Sequence, residues 1–173
     1  MKELIEYVIQ QGHKKIAMIH GEDTLVTKER KKIFLETTKA HGIQIPDEYF
    51  AQGLYHDPIT SSEATNILLS LPNPPTCIFF PDDYSALGGI KVINSKNLTI
   101  GKDISIVGYD GIMLTSMLLP PLTTYEQDGE KIGKLIGKEL IKNIEQRSDY
   151  ENQNILVSGR ILYGGSVAKI DEK

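Results

Sequence analysis

The stretch Thr76-Cys77-Ile78-Phe79-Phe80-Pro81-Asp82-Asp83, residues 76–83, decides the fold. Its first five residues form a nearly continuous apolar run, which is typical of a strand covered on both faces of a parallel sheet. The two aspartates follow after Pro81 and open a predicted helix that extends through about Ser95. A second buried strand, predicted at 104–109, is likewise followed by a polar turn, Asp110-Gly111. This order indicates βαβ units.

Strand and helix patterns alternate along the rest of the chain. Further strands are predicted at 15–21, 49–54 and 154–162, and residues 120–125 are predicted to be extended. Further helices are predicted at 2–11, 26–41 and 128–146, and one more begins near Ser61, whose hydroxyl offers N-cap chemistry, and ends before Pro72. The alternation predicts an α/β fold with a Rossmann-like, mostly parallel sheet and helices on both faces.

The composition is that of a globular domain. The chain has 173 residues, and at about 150 residues per domain this length allows one α/β domain with a short appendage. Hydrophobic residues make up 40% of the chain and charged residues 24%, and Cys77 is the one cysteine, which excludes an intrachain disulfide and a Cys-rich zinc site. No apolar run approaches about 18 residues, and the first residues include carboxylates rather than a basic signal. We therefore predict a cytoplasmic protein without membrane contact.

The charge balance argues against nucleic-acid binding by this chain alone. Nineteen Lys and Arg against 23 Asp and Glu give a net charge of −4, and the basic residues are scattered except at 28–32. A protein that binds DNA usually carries a basic stripe, because counterion release from phosphates supplies much of its affinity. We therefore expect no direct DNA contact from these residues.

Polar residues that directly follow buried strands are the first candidates for a site, because the loops at the carboxyl ends of parallel strands converge. They are His20 with the loop to Arg30, Tyr55-His56-Asp57, Asp82-Asp83 and Asp110. Carboxylates collected there can hold a divalent cation, act in acid–base catalysis or accept hydrogen bonds from ligand hydroxyls. The chain contains no nucleophile elbow, P-loop or dinucleotide fingerprint, so no nucleotide cofactor is predicted.

Each candidate also has a structural alternative. Asp83 stands at a helix start, where a carboxylate commonly caps free N–H groups, whereas Asp82 is predicted to have no such duty and is open to a ligand. Asp110 could fix an Asp-Gly turn. Arg30 could be a solvated helix charge, and Tyr55 is either an ordinary loop aromatic or a platform for a sugar ring.

Several motifs occur in an order and spacing that match a known family. They are residues 4–5, 12–17, 30, 75–79, 82–88, 103–110, 121–124 and 127. With these motifs the chain resembles the effector-binding core of LacI/GalR-type transcriptional repressors, which has a type I periplasmic-binding-protein-like fold. The resemblance implies a C-terminal lobe over 1–126 and a crossover helix and loop over 127–153 that belong by family topology to a missing N-terminal lobe. Residues 154–173 are then the final strand and tail.

The same resemblance implies where an effector is bound. The implied contacts are Arg30, Tyr55, Asp82, Asp110 and Gln127. An arginine fork donates to vicinal hydroxyls or to a phosphate, and carboxylates accept from hydroxyls. Three positions depart from the family pattern, which commonly has Asn or Thr at Asp82, an acidic or small polar residue at Gly111 and an arginine near Gly164.

The leading hypothesis is therefore a lobe that senses a sugar or sugar phosphate in a transcriptional regulator, with no catalysis, no cofactor and no metal. DNA contact would come from a headpiece outside this chain. The apolar face of the helix at 128–146 lacks its family partner, which favours a homodimer or refolding of the helix onto the sheet. Two alternatives stay open: a secreted sugar-binding protein of an importer, and a magnesium-dependent enzyme that uses Asp82, Asp83 and Asp110.

Overall fold

A four-stranded parallel sheet forms the centre of the molecule, of which the computed structural model describes residues 1–145 and 154–170. The strands are β1 Ile16–His20, β2 Phe50–Gln52, β3 Cys77–Phe79 and β4 Ser105–Val107. Their spatial order is β2-β1-β3-β4, and all three neighbouring pairs are parallel. The predicted parallel sheet is thus confirmed.

Helices cover both faces of this sheet. They are α1 Lys2–Gln10, α2 Leu25–Ala40, α3 Pro58–Leu69 and α4 Asp83–Ser95. Side chains of α1 and α2 pack in one apolar cluster with Cys77 and Phe79, while those of α3 and α4 pack in another with Ile78 and Phe80. Successive residues of a strand point to opposite faces, so the apolar run at 76–80 supplies both clusters.

The start of α3 differs from the prediction. The helix begins at Pro58 rather than near Ser61, because the Asp57 side chain accepts hydrogen bonds from the backbone N–H groups of Ile59 (2.8 Å) and Thr60 (3.4 Å). Aspartate at the cap and proline in the first turn are together a stronger start signal than serine inside the helix. Ser61 is fully buried instead, and its hydroxyl has no hydrogen-bond partner among the described residues.

A second, two-stranded sheet leads away from the edge of β4. It pairs β5 Thr124–Glu126 with β6 Arg160–Leu162 in antiparallel orientation. The predicted strand at 154–162 is therefore shorter than expected, since residues 154–159 are irregular. The start of β5 also contacts the segment that follows β4. The N–H groups of Gly108 and Asp110 donate to the carbonyls of Thr123 and Tyr125.

The end of the chain returns to the main sheet. The N–H of Ile106 donates to the Ser166 carbonyl (3.0 Å), and the Ser166 hydroxyl donates back to the Ile106 carbonyl (2.7 Å). Buried His13 contacts the same segment through Nε2, which lies 3.1 Å from the Ala168 carbonyl. Burial lowers the pKa of His13, an effect only partly opposed by this contact. Residues 164–170 are thus held against the main sheet by contacts at Ser166 and Ala168.

The fifth helix, α5 Gly129–Glu145, has no buried residue. Its apolar side chains Ile136, Leu140, Ile141 and Ile144 are 57–63% exposed. Within residues 1–145 and 154–170, the helix has therefore not refolded onto the main sheet, whereas burial in a homodimer stays a prediction. None of the described helices combines the length and apolarity needed to cross a membrane.

Candidate functional site

Arg30 lies at the carboxyl-end edge of the sheet, held by contacts from three separate segments. It projects from α2, and its guanidinium carbon is 3.9 Å from the centroid of the Tyr109 ring and 5.7 Å from that of Tyr55. Nη1 donates to the Pro81 carbonyl at 2.7 Å. In the described part of the chain the other guanidinium N–H groups have no hydrogen-bond acceptor. Arg30 is therefore half-buried and held in place, which contradicts its reading as a solvated helix charge.

Tyr55 closes one side of this arrangement. Its hydroxyl is 3.0 Å from Oγ1 of Thr27, which lies one turn before Arg30 on α2. Its ring passes so close to Gly21 that a Cβ at that position would be 2.3 Å from a ring carbon. The glycine after β1 therefore allows the aromatic ring to reach the edge of the sheet.

Asp110 and Gln127 meet at the same edge, as predicted. Gln127 Nε2 donates to Asp110 Oδ1 at 2.6 Å. Burial raises the pKa of Asp110, while the Gln127 hydrogen bond and the Arg30 charge oppose the rise. Asp110 and Gly111 both have positive φ values, 110° and 74°, and Asp110 forms an isolated β-bridge with Glu126. A Cβ at Gly111 would be 2.4 Å from the Glu126 Cα, so this position does not accommodate the larger residue common in the family.

The roles expected of the two neighbouring aspartates are reversed. Asp82, predicted to be free of a capping duty, is the N-cap of α4 and accepts from the Ser85 N–H (2.7 Å) and hydroxyl (2.9 Å). It also accepts from the His56 N–H at 2.8 Å. The Asp82 side chain is only 2% exposed, and its Oδ1 also lies 3.7 Å from His56 Nδ1, so the carboxylate faces the protein. Direct effector contact at Asp82 stays a prediction.

Asp83 turns away from the cap and links the loop after β4 to the first residue of β5. Its buried carboxylate accepts from the N–H groups of Gly111 (2.7 Å) and Ile112 (2.9 Å) and from the Thr124 hydroxyl (2.5 Å). Burial raises its pKa to about 6 against the lowering effect of these three hydrogen bonds. Sequence reasoning missed this function because the donors lie 28 to 41 residues away.

The carboxylates do not form a metal centre. Asp82 faces Ser85 and the His56 loop, Asp83 faces the loop after β4, and Asp110 faces Gln127. The part of the chain that the structure describes contains no group of three or more His, Cys, Asp or Glu arranged to hold a metal ion. The magnesium alternative therefore has no ion site among these residues.

A shallow depression lies beside Asp110 and extends the site outward. It measures about 340 Å³ and is lined by His56, Tyr84, Asp110 and Ile112. His56 has a left-handed backbone with φ of 55°, which is uncommon outside glycine, and its side chain is 71% exposed. His56 belongs to the Tyr55-His56-Asp57 segment, one of the polar segments predicted to follow a buried strand.

The raised pKa of Asp83 predicts a measurable pH dependence. Because its pKa is about 6 in the folded chain against 3.8 ordinarily, the folded state binds more protons than the unfolded state between pH 4 and 6. The proton on Asp83 therefore stabilises the folded state. This contribution to the unfolding free energy is complete below pH 4 and is lost as the pH rises through 6. Asp83→Asn removes it, so the melting temperature of the variant minus that of the wild type should rise from pH 4 to pH 6.5 and then level off.

Thermal melts of both proteins at half-unit pH intervals test this prediction. Subtracting the two curves removes the contribution of His13, whose lowered pKa makes stability fall below pH 6.5 and therefore has the opposite sign. A difference that does not change with pH would contradict the assignment.

Comparison with known proteins shows similarity along almost the whole chain. Residues 5–167 match the family described as periplasmic binding protein-like domain. The protein described as HTH-type transcriptional repressor ExuR of Bacillus subtilis is 34% identical over 170 residues, which cover 98% of this chain and 50% of that protein. The chain thus spans about half the length of the curated relatives it matches.

Solved structures agree with this result. A crystal structure described as a transcriptional regulator LacI from Bacillus cereus subsp. cytotoxis superposes with a TM-score of 0.90 at 30% identity, covering 95% of this chain and 58% of that one. A complex of the transcriptional regulator CelR with cellobiose superposes with a TM-score of 0.87 at 22% identity, covering 95% and 50%. The predicted fold and family are therefore confirmed. The chain belongs to the periplasmic binding protein-like domain family, and its relatives are LacI-type transcriptional repressors.

Proposed function

We propose that this chain is the effector-sensing lobe of a LacI-type transcriptional regulator, and that its effector is a sugar or a sugar phosphate. One observation carries the proposal: a half-buried arginine, Arg30, presents unpaired donors beside the Asp110–Gln127 pair at the carboxyl-end edge of the sheet. The function is binding rather than catalysis. The repressor relatives favour a regulator over an importer component.

The chemistry of these groups suits a polyhydroxylated ligand. Such a ligand needs donors and acceptors side by side, together with an apolar surface for the faces of its ring. Arg30 supplies the donors, and the second oxygen of Asp110 supplies an acceptor. Tyr55 supplies the aromatic surface and Gln127 a further polar group. The CelR structure, which contains cellobiose, supports the sugar class.

We infer the division of the chain from the same features. Residues 1–126 form the lobe, 127–153 the crossover to a second lobe, and 154–173 the returning strand and tail. The lack of buried residues on α5 and the length of the relatives support a second lobe that closes over the effector. The complete protein would be a cytoplasmic homodimer with DNA-binding headpieces. Closure of the two lobes over the effector would shift each subunit between two conformations and so change the spacing of the headpieces.

An NMR titration of the ¹⁵N-labelled chain tests the assigned site. The ligand panel holds neutral mono- and disaccharides, sugar phosphates and inorganic phosphate. One class should shift the amide signals of Arg30, Tyr55, Asp110 and Gln127, with a millimolar Kd because one lobe supplies only part of the contacts. Arg30→Ala should weaken this binding by about tenfold or more, the value of a charge-assisted hydrogen bond.

Lys32→Ala is the matched control, because it removes an exposed cation from the same helix as Arg30. It should leave the Kd unchanged. Asp110→Ala should weaken binding in the same way as Arg30→Ala. Wild-type affinity in both site variants, or signal shifts confined to other surfaces, would refute the assigned site.

A further inference from the structure

A continuous stack of side chains runs from the proposed effector site to the crossover strand β5. The Arg30 guanidinium lies over Tyr109, with 3.9 Å between its carbon and the ring centroid. Tyr109 is stacked in turn on Tyr125 of β5, with ring centroids 5.5 Å apart and an angle of 19° between the planes. The strand that leaves the lobe thus contacts the arginine through one intervening ring.

The arginine depends on this stack for its orientation. Among the described residues it makes one hydrogen bond, from Nη1 to the Pro81 carbonyl, which fixes one end of the guanidinium but leaves its plane free to turn. The closer of its two aromatic contacts is the face of Tyr109, since Tyr55 is 5.7 Å away. A cation over an aromatic face is attracted by the ring quadrupole, so the tilt of Tyr109 sets the plane of the guanidinium.

Tyr125 is itself held in place on two sides. Its carbonyl accepts from the Asp110 N–H at 2.9 Å, which joins the backbone of β5 to the loop after β4. Gly159 approaches its ring so closely that a Cβ there would be 2.6 Å from Cε1. The Tyr125 ring is therefore in close contact with the backbone at Gly159 as well as with Tyr109.

We propose that Tyr125 is a positioning residue for effector recognition: it fixes the tilt of Tyr109, which fixes the guanidinium plane of Arg30. The inference rests on the proposed function in assigning Arg30 as an effector contact. It also means that a change in the path of β5 alters the donor geometry at the effector site. Tyr125 touches no effector itself and acts only through the other two side chains.

The test compares Tyr125→Leu with Tyr125→Phe. The side-chain Nε–Hε signal of Arg30 reports its place over the Tyr109 ring, because the ring current displaces the proton resonance upfield. Tyr125→Leu should move this signal toward the random-coil position and weaken effector affinity by about 2- to 10-fold, the range for an aromatic pair. Tyr125→Phe should preserve both, because face stacking does not require the hydroxyl.

Tyr163→Leu is the matched control. Tyr163 follows β6 and pairs edge-on with Tyr7, away from Arg30, so its loss should leave the Arg30 signal unchanged. An unchanged Arg30 signal in folded Tyr125→Leu, or an equal change in Tyr125→Phe, would overturn the positioning role. If no sugar or phosphate binds the wild type, the proposed function fails, while the signal of the ligand-free variants still decides the role of Tyr125.

Discussion

Asp83→Ala is expected to destabilise the chain by about 1–3 kcal/mol or more, because three donors lose their shared acceptor and one of them, the Thr124 hydroxyl, is fully buried. The donors are the N–H groups of Gly111 and Ile112 and the Thr124 hydroxyl. Domains typically have about 5–15 kcal/mol of unfolding free energy, so the loss is a large share of the total. Urea unfolding at pH 7 measures it as a lower midpoint.

Asp83→Asn is the control for this prediction. Its carboxamide oxygen can accept from both backbone amides, and its NH₂ group can donate to the Thr124 hydroxyl. We therefore expect its stability to lie within about 1 kcal/mol of the wild type, as for other shape-preserving exchanges. Equal midpoints for the alanine and asparagine variants would show that the three hydrogen bonds do not stabilise the fold.

Gly88→Ala is expected to lower stability by about 1–3 kcal/mol or more, as overpacking does. Gly88 lies on α4 where that helix meets the start of α3, and a Cβ there would be 1.8 Å from the Pro58 carbonyl oxygen and 2.7 Å from its carbon. The obstacle is backbone, so a rotamer change does not relieve it. The two helices have to separate, and the apolar cluster beneath them loosens.

The sign of the effect makes this prediction discriminating. In an exposed helix, replacing glycine by alanine stabilises by about 1 kcal/mol. Gly133→Ala on α5 meets no atom within 4 Å and should raise the melting temperature. Thermal denaturation of both variants tests the pair, and a Gly88→Ala protein that melts at or above the wild-type temperature would contradict the close approach of α3 and α4.

The architecture was predictable because each element carries a local signal. The apolar run at 76–80 predicts a strand buried on both faces, and Cys77, Ile78 and Phe79 occupy both apolar clusters. The start of α3 was misplaced because two local signals competed, and the Asp57-Pro58 pair is stronger than Ser61. The length of the last strand was overestimated, since its extent depends on pairing with β5 rather than on its own sequence.

The positions of the candidate site residues were predictable, whereas their hydrogen-bond partners were not. The carboxyl ends of parallel strands bring Arg30, Tyr55 and Asp110 to one edge, as the pattern indicates. Which of two adjacent aspartates caps α4 depends on backbone direction and on donors far away in sequence, and so the assignment was reversed. The stacking of Tyr109 on Tyr125 likewise depends on how the crossover strand pairs with the main sheet.

The pairing of β5 with β6 has a mechanical consequence. The segment that departs toward α5 and the segment that comes back run side by side, joined by interstrand hydrogen bonds from Thr124–Leu162 to Glu126–Arg160. A double-stranded ribbon resists sliding of one strand along the other but bends across its plane with far less resistance. Because β5 is paired with β6, α5 is therefore joined to the main sheet through a two-stranded ribbon rather than through a single strand.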